Sequence, residues 1–171
     1  NSTSIDGSTQ IDWNIVKISN NISSGNKDIT VLALISDTAG KKLTMANPYE
    51  ALNENNSGQG LRVTHYLKIN GNIDLVGEYQ LLQDLGSMLD VNSNGKLQKD
   101  QQGTRDMFTY NFWSSPVGIS NTATNNNSYT LPAVLKDGTN SATPLSINFI
   151  TSGYNGTAGS PIGIADYWIW K

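Results

Sequence analysis

The sequence predicts an all-β fold: a β-solenoid of the parallel β-helix type, followed by a shorter β-rich module. Three observations favour it. Short runs in which apolar and polar residues alternate are separated by Gly and Asn. A short pattern recurs at Gly71, Gly86 and Gly95. It consists of a Gly, then a small or polar residue, then a run in which apolar and polar residues alternate. Charged residues make up only 15% of the chain, so Asn, Gly, Ser and Thr dominate its polar part, as suits turn-rich β-structure.

Residues 61–75 carry the clearest alternation. Apolar side chains at odd positions should face a core, while Arg62, Lys68 and Asp74 should face water, because a one-residue slip would expose the whole apolar set. The odd set is Leu61, Val63, Leu67, Ile69, Ile73 and Leu75. The single histidine, His65, falls on the same face and is interpreted as a core or edge residue. An antiparallel β-sandwich remains the alternative fold, since it also contains short strands with Gly and Asn turns.

A change in sequence pattern divides the chain into predicted solenoid rungs at 1–103 and a predicted β-rich second module at 104–171. Its last phrase, "GIADYWIWK", predicts a strand with two tryptophans on one face and Tyr and Ile on the other. Such a strand needs cover on both faces. We therefore expect the second module to be incomplete as given and to self-associate through this edge. The alternative is that earlier segments such as "LSINFI" and "FTYNFW" pair with this strand and cover it.

Charge and composition exclude several classes of function. The net charge is -3, and the 11 Lys and Arg residues are scattered, which argues against a nucleic-acid partner. Cysteine is absent, which removes disulfides, thiolate zinc sites and cysteine nucleophiles. The longest apolar run, "ITVLALI", is far shorter than the roughly 20 residues of a membrane helix, so no membrane insertion is expected.

The stretch "DVNSNGKLQKDQ" opens like an EF-hand calcium loop, with Asp90, Asn92 and Asn94 at alternate positions before Gly95. The twelfth position, where calcium needs a bidentate carboxylate, is the uncharged Gln101. Asp and Asn before Gly also suit tight turns. We therefore expect a turn between rungs, and neither a metal nor a cofactor.

Several phrases resemble a block found in very large exported surface proteins of Bacteroidetes, notably the gliding flavobacteria. They are "IDWNIVKISNNISSGNKDITVLALI", "GLRVTHYLKINGNIDLVGEYQLLQ", "DVNSNGKLQKDQQGTRDMFTYNFWSSPVG" and "GIADYWIWK". The resemblance implies type IX secretion, contact with that secretion machinery, and an extracellular or cell-surface location. It also implies an N-terminal part of a longer protein and an adhesive role, and it carries no catalytic residues. Within this lineage, Asp37-Thr38-Ala39 resembles an O-glycosylation motif, which makes Thr38 a candidate modification site.

Four aromatic residues lie near polar loops: Trp113, Tyr154, Trp168 and Trp170. Exposed rings of this kind stack on sugar faces, and surface glycans would then be the ligand. Aromatic residues are more often core, however, and these could instead seal the solenoid or fill the second module. We favour the core interpretation and keep sugar stacking as the alternative.

Clustered carboxylates would point to a carbohydrate-active enzyme. Two pairs could form such a cluster, Asp74 with Glu78 and Asp100 with Asp106. Asp74 and Glu78, however, lie at even positions, which are predicted to face water. We therefore expect no catalytic residues. The predicted function is a non-catalytic extracellular module, structural or adhesive, and the alternative is a carbohydrate-binding or carbohydrate-active protein.

Overall fold

A computed structural model describes residues 13–47, 58–103, 129–140 and 143–170, and the backbone of two short strands before them. The described residues up to 103 belong to one compact unit, and residues 129–170 belong to a second. The predicted boundary between 103 and 104 borders residues outside the described ranges, so it stays a prediction.

Short strands account for most of the regular structure. Those of the first unit are β1 (Ser2–Thr3), β2 (Gln10–Ile11), β3 (Ile15–Ile18), β4 (Ile22–Ser23), β5 (Ile29–Ser36), β6 (Lys42–Met45), β7 (Gly60–Ile69), β8 (Asn72–Leu75), β9 (Gln80–Gln83), β10 (Met88–Leu89) and β11 (Lys96–Lys99). The second unit contains α1 (Leu131–Val134), β12 (Lys136–Asp137), β13 (Leu145–Ser146), β14 (Asn148–Ile150), β15 (Gly163–Ala165) and a 3₁₀ helix (Asp166–Trp168). The predicted β-rich class is confirmed.

Two parallel sheets organise the first unit. The first sheet has the order β3-β5-β7-β10, with β9 also paired to β7, and the second has the order β4-β6-β8-β11. Spatial order therefore follows chain order in both sheets, and strands in the second sheet succeed strands in the first. Every strand pair among the described residues between 15 and 99 is parallel. This pairing contradicts the antiparallel-sandwich alternative for that stretch.

Register partners align apolar side chains across the sheets. Leu34 pairs with Leu67, and Leu67 pairs with Leu89; in the second sheet Leu43 pairs with Ile73, and Ile73 with Leu97. The resulting core contains Ile18, Val31, Leu34, Leu43, Met45, Leu61, Val63, Leu67, Ile69, Ile73, Leu75 and Tyr79. All six odd-numbered apolar residues of 61–75 are buried, so their predicted orientation is confirmed.

His65 does not face the core. Val31 pairs with Val63, but Ala33 pairs with Tyr66, so the single residue Leu32 of β5 stands opposite two residues of β7. The alternation of side chains along β7 is interrupted at this bulge, and His65, which lies in it, is exposed. The inward interpretation of His65 was wrong, because a bulge breaks the alternation of side chains.

The residues predicted to face water are not all exposed. Arg62 lies at the surface in a two-pronged ion pair with Asp84, at 2.9 Å for both contacts. Asp74 is only 4% exposed, which contradicts its predicted exposure to water. Its carboxylate accepts a hydrogen bond at 3.0 Å from Lys42 on the neighbouring strand. The ion pair allows burial, because a carboxylate leaves water only when a partner compensates its charge.

Two of the recurring glycines stack directly on one another. Gly71 and Gly95 precede β8 and β11, which pair in register. The amide of Lys96 donates to the Gly71 carbonyl at 3.1 Å. A Cβ atom added to Gly95 would lie 1.8 Å from the Gly71 oxygen, so only glycine fits. Gly86, by contrast, has a positive φ of 86° in a separate turn.

The end of the second unit departs from the predicted strand. Of this phrase, only Gly163–Ala165 forms a strand, which pairs in parallel with Asn148–Ile150. The chain then turns, and the amide of Ile169 donates to the Asp166 carbonyl at 3.0 Å, which closes the 3₁₀ helix. The strand prediction for "DYWIW" was therefore wrong. Among the described residues, no helix has the length and apolar character needed to span a membrane.

The contact between Gly71 and Gly95 makes one substitution decisive. Gly95→Ala should destabilise the protein by about 3 kcal/mol or prevent folding, since a backbone oxygen cannot move aside as a side chain can. Gly60→Ala is the matched control, because its added Cβ would meet only side-chain atoms, of Leu82 at 3.4 Å and of Asp28 at 3.8 Å. Urea denaturation of both variants measures the difference. Equal stability of the two variants would show that Gly71 and Gly95 are not packed as described.

Candidate functional site

The predicted ligand-binding residues that the structure describes are exposed. Tyr154 is 64% exposed, Trp168 57% and Trp170 76%, so the favoured interpretation of these three as core residues was wrong. Trp113 lies outside the described residues. Tyr167, which was not singled out in the sequence, is 55% exposed and lies among them.

Tyr154, Tyr167 and Trp168 form what we call the aromatic cluster. The ring of Tyr167 meets that of Tyr154 edge to face at a centroid distance of 4.6 Å, and meets that of Trp168 in the same way at 4.9 Å. The Trp168 indole Nε1 donates a hydrogen bond at 2.7 Å to the Tyr154 carbonyl oxygen. This hydrogen bond and the edge contacts hold the rings in place while their surfaces face solvent.

Close backbone contact brings Tyr154 to the helix that carries Tyr167 and Trp168. Thr157 and Gly163 exchange two hydrogen bonds, at 3.0 and 2.9 Å, so the loop after β14 runs back alongside β15. A Cβ atom on Gly156 would lie 2.5 Å from the Gly163 oxygen, and one on Gly163 would lie 2.2 Å from the Thr157 Oγ1. Both glycines are therefore needed for this approach.

Asp137 anchors the other end of the same loop. It is 3% exposed, and its carboxylate accepts hydrogen bonds from the Thr139 amide at 2.9 Å and the Thr139 hydroxyl at 2.6 Å. Its second oxygen accepts from the Ser160 hydroxyl and the Ile162 amide, both at 3.0 Å. The hydrogen bonds from Thr139, followed by those from Ile162 and Ser160, lower the pKa of Asp137 to about 2. Asp followed by Gly is typical of a turn, but no local pattern in the sequence indicates the contact of Asp137 with Ser160 and Ile162.

The lowered pKa of Asp137 predicts a specific loss of stability in acid. Its ordinary value is 3.8, so its stabilising effect should be complete above that pH and should be lost as the pH falls through about 2. Asp137→Asn removes the effect at every pH. The difference in melting temperature between wild type and variant should therefore be several degrees at pH 6 and should shrink between about pH 4 and 2. Thermal scans by tryptophan fluorescence measure it, and a difference independent of pH would contradict the assignment.

The calcium-like stretch forms a turn between β10 and β11. The Asp90 carboxylate accepts hydrogen bonds from the Tyr66 hydroxyl and from the Asn92 amide at 2.8 Å, and lies 3.3 Å from the Lys68 ammonium. The hydrogen bond from Tyr66, then that from Asn92, lowers the pKa of Asp90 to about 2. The carboxylate thus has internal partners, consistent with the turn interpretation.

We expect no calcium binding at Asp90 to Gln101, because these internal contacts compete with a cation for Asp90. Calorimetric titration of calcium into the chelator-treated protein should give no site-dependent heat up to low millimolar concentration. The matched control is Asp90→Ala. A binding heat in the wild type that this variant loses would overturn the expectation.

Asp100 follows the edge strand β11, and its carboxylate is close enough to Asp74, in the neighbouring strand β8, to feel its charge. Asp100 accepts a hydrogen bond from the Gly77 amide at 3.2 Å. Burial, followed by the nearby charge of Asp74, raises the pKa of Asp100. Such a pair has the chemistry of an acid and base, but Asp74 is buried and bound to Lys42, so a substrate has no access to it here. Asp106, the predicted partner of Asp100, lies outside the described residues.

Thr38 lies in the turn between β5 and β6 and is partly exposed. Its carbonyl oxygen accepts a hydrogen bond from the Lys41 amide at 3.1 Å, and its neighbour Asp37 pairs with Lys17 at 2.8 Å. Thr38 therefore lies on an ordered turn and is partly exposed there, and its modification stays a prediction.

Comparison with known proteins identifies no family for this chain. Matching the chain against protein-family models, curated proteins and solved structures finds no similar protein. Within the part of the chain that the structure describes, no three His, Cys, Asp or Glu side chains are grouped so that they could hold a metal ion. The aromatic cluster is the candidate site that the geometry favours.

Proposed function

We propose that the chain is a non-catalytic module of a large exported surface protein, with an adhesive or structural role. The exposed aromatic cluster is the observation that carries this proposal. Large exposed aromatic side chains that are fixed in place by their own contacts are typical of binding surfaces.

The first unit is proposed to be a β-solenoid. Ile22, Leu43, Ile73 and Leu97 are successive register partners, so each passage of the chain through the second sheet lies on the one before. The first sheet repeats the same order. Stacking of one coil on the next with shared inward columns is the defining property of a solenoid.

The position of Lys99 supports the proposal that the stack of strands ends after β11. It occupies the register position of Met45 and Leu75, which are both buried. Its ammonium group donates to the carbonyl oxygens of Gly77 and Asp100, and burial lowers its pKa. A charge at an inward position discourages a further strand, so the proposed boundary near 103 has a physical reason.

Export and location are part of the proposal. The resemblance to Bacteroidetes surface proteins implies type IX secretion and an extracellular or cell-surface location. Thr38, on its surface turn, would accept the O-linked glycan of such proteins. Neither nucleic acid nor membrane insertion belongs to this function, and the secretion machinery would be a transient partner.

Adhesion can be measured with beads coated with the protein and held in flow. Retention should exceed that of albumin-coated beads on at least one of three layers: glass, mucin, or the protein itself. Trp168→Ala should lower retention because it removes a ring from the aromatic cluster. Trp13→Ala is the matched control, since Trp13 is 51% exposed but belongs to the first unit.

Two outcomes would overturn the proposal. One is retention no better than that of albumin on all three layers. The other is release of reducing ends from a panel of polysaccharides by the purified protein, which would assign it to the carbohydrate-active enzymes.

A further inference from the structure

We infer that the aromatic cluster binds neutral polysaccharides with flat β-linked pyranose units, by stacking of sugar rings on Tyr154, Tyr167 and Trp168. This inference rests on the proposed adhesive function and names its ligand class. Equatorial hydroxyls leave the faces of such sugars lined by C–H groups, which pack on aromatic rings, while the hydroxyls remain free for hydrogen bonds.

The size of the cluster suits a short run of sugars better than a protein partner. Aromatic side chains offer about 150 to 250 Å² each, and these three are 64%, 55% and 57% exposed. Their accessible area is therefore about 350 Å², whereas a stable protein interface needs about 800 Å² from each partner. A second copy of the chain would need far more surface than the cluster supplies.

The chemistry around the rings points the same way. Asp166 is the only charged residue between Thr151 and Trp170, and the preceding loop offers hydroxyl and amide side chains. The exposed ones include Thr151, Ser152, Asn155 and Thr157, while the Ser160 hydroxyl is already bonded to Asp137. Hydroxyls and amides match the hydroxyls of a sugar, and the segment from Thr151 to Trp170 contains no Lys or Arg that would attract an acidic polysaccharide.

The rings are arranged before any ligand arrives. The Trp168 indole nitrogen donates a hydrogen bond to the Tyr154 carbonyl oxygen at 2.7 Å. The Tyr167 ring makes an edge-to-face contact with each of the other two rings. Little side-chain freedom is therefore lost on binding, which favours affinity at a shallow surface. Trp168 both stacks and fixes the loop.

Affinity electrophoresis in native gels tests the inference. The probes are hydroxyethyl cellulose as a neutral β-linked glucan and alginate as an acidic polysaccharide. We expect retardation by the first and none by the second. Trp168→Ala should weaken binding about tenfold or more, as truncation of a central aromatic contact does. Trp168→Phe should retain part of the binding, and Trp13→Ala should match the wild type.

Each contrary outcome has a defined meaning. Absence of retardation by hydroxyethyl cellulose, or equal retardation of Trp168→Ala and wild type, overturns the inference. If beads are nevertheless retained in flow and Trp168→Ala reduces that retention, the adhesive function stands with a different ligand. A concentration-dependent dimer in sedimentation velocity that Trp168→Ala abolishes would assign the cluster to a second copy of the chain and would also overturn the inference. Circular dichroism of each variant confirms that it is folded.

Discussion

In-register stacking of parallel strands is the constraint on which the first unit depends. Each strand of the second sheet places its inward residue on that of the previous passage, as Leu43, Ile73 and Leu97 do. At the corner, the backbone of Gly95 lies so close to Gly71 that no side chain fits between them. Because the corner fixes the start of each strand, it also fixes which side chains are buried along it. The core of the unit thus follows from the way its backbone is stacked.

The second unit depends on a polar contact instead. Of its described residues, only Ile147 and Ala165 are buried apolar side chains. Asp137 joins the turn at Thr139 to the loop at Ser160 and Ile162 by hydrogen bonds. A carboxylate that accepts this many hydrogen bonds holds its donors in fixed positions. The ordered loop then brings Tyr154 against Tyr167, so a buried acid in one turn supports aromatic rings exposed at the surface.

Alternation and glycine spacing predicted the scaffold but not its irregularities. The odd-numbered apolar residues from Leu61 to Leu75 face the core as the pattern indicated, and the recurring glycines at Gly71 and Gly95 are in close backbone contact. His65 was misplaced because a bulge depends on the length of the neighbouring strand, which the local pattern does not contain. Asp74 was misplaced because its partner, Lys42, is 32 residues away in sequence. The aromatic residues were misread for a similar reason: exposure of Trp168 depends on the turn at Asp166, which interrupts an apparently regular strand.

Cysteine cross-linking tests the in-register stacking most directly, because the natural chain has no cysteine. Ile35 and Lys68 are register partners on adjacent strands, whereas Tyr66 lies two residues earlier than Lys68 in β7. Neighbouring strands lie about 4.8 Å apart, within the roughly 4.4 to 6.8 Å that a disulfide spans between Cα atoms, and a two-residue offset exceeds it. Mild oxidation should therefore close a disulfide in the Ile35→Cys/Lys68→Cys variant and leave Ile35→Cys/Tyr66→Cys reduced. Efficient closure of the second pair with failure of the first would contradict the account.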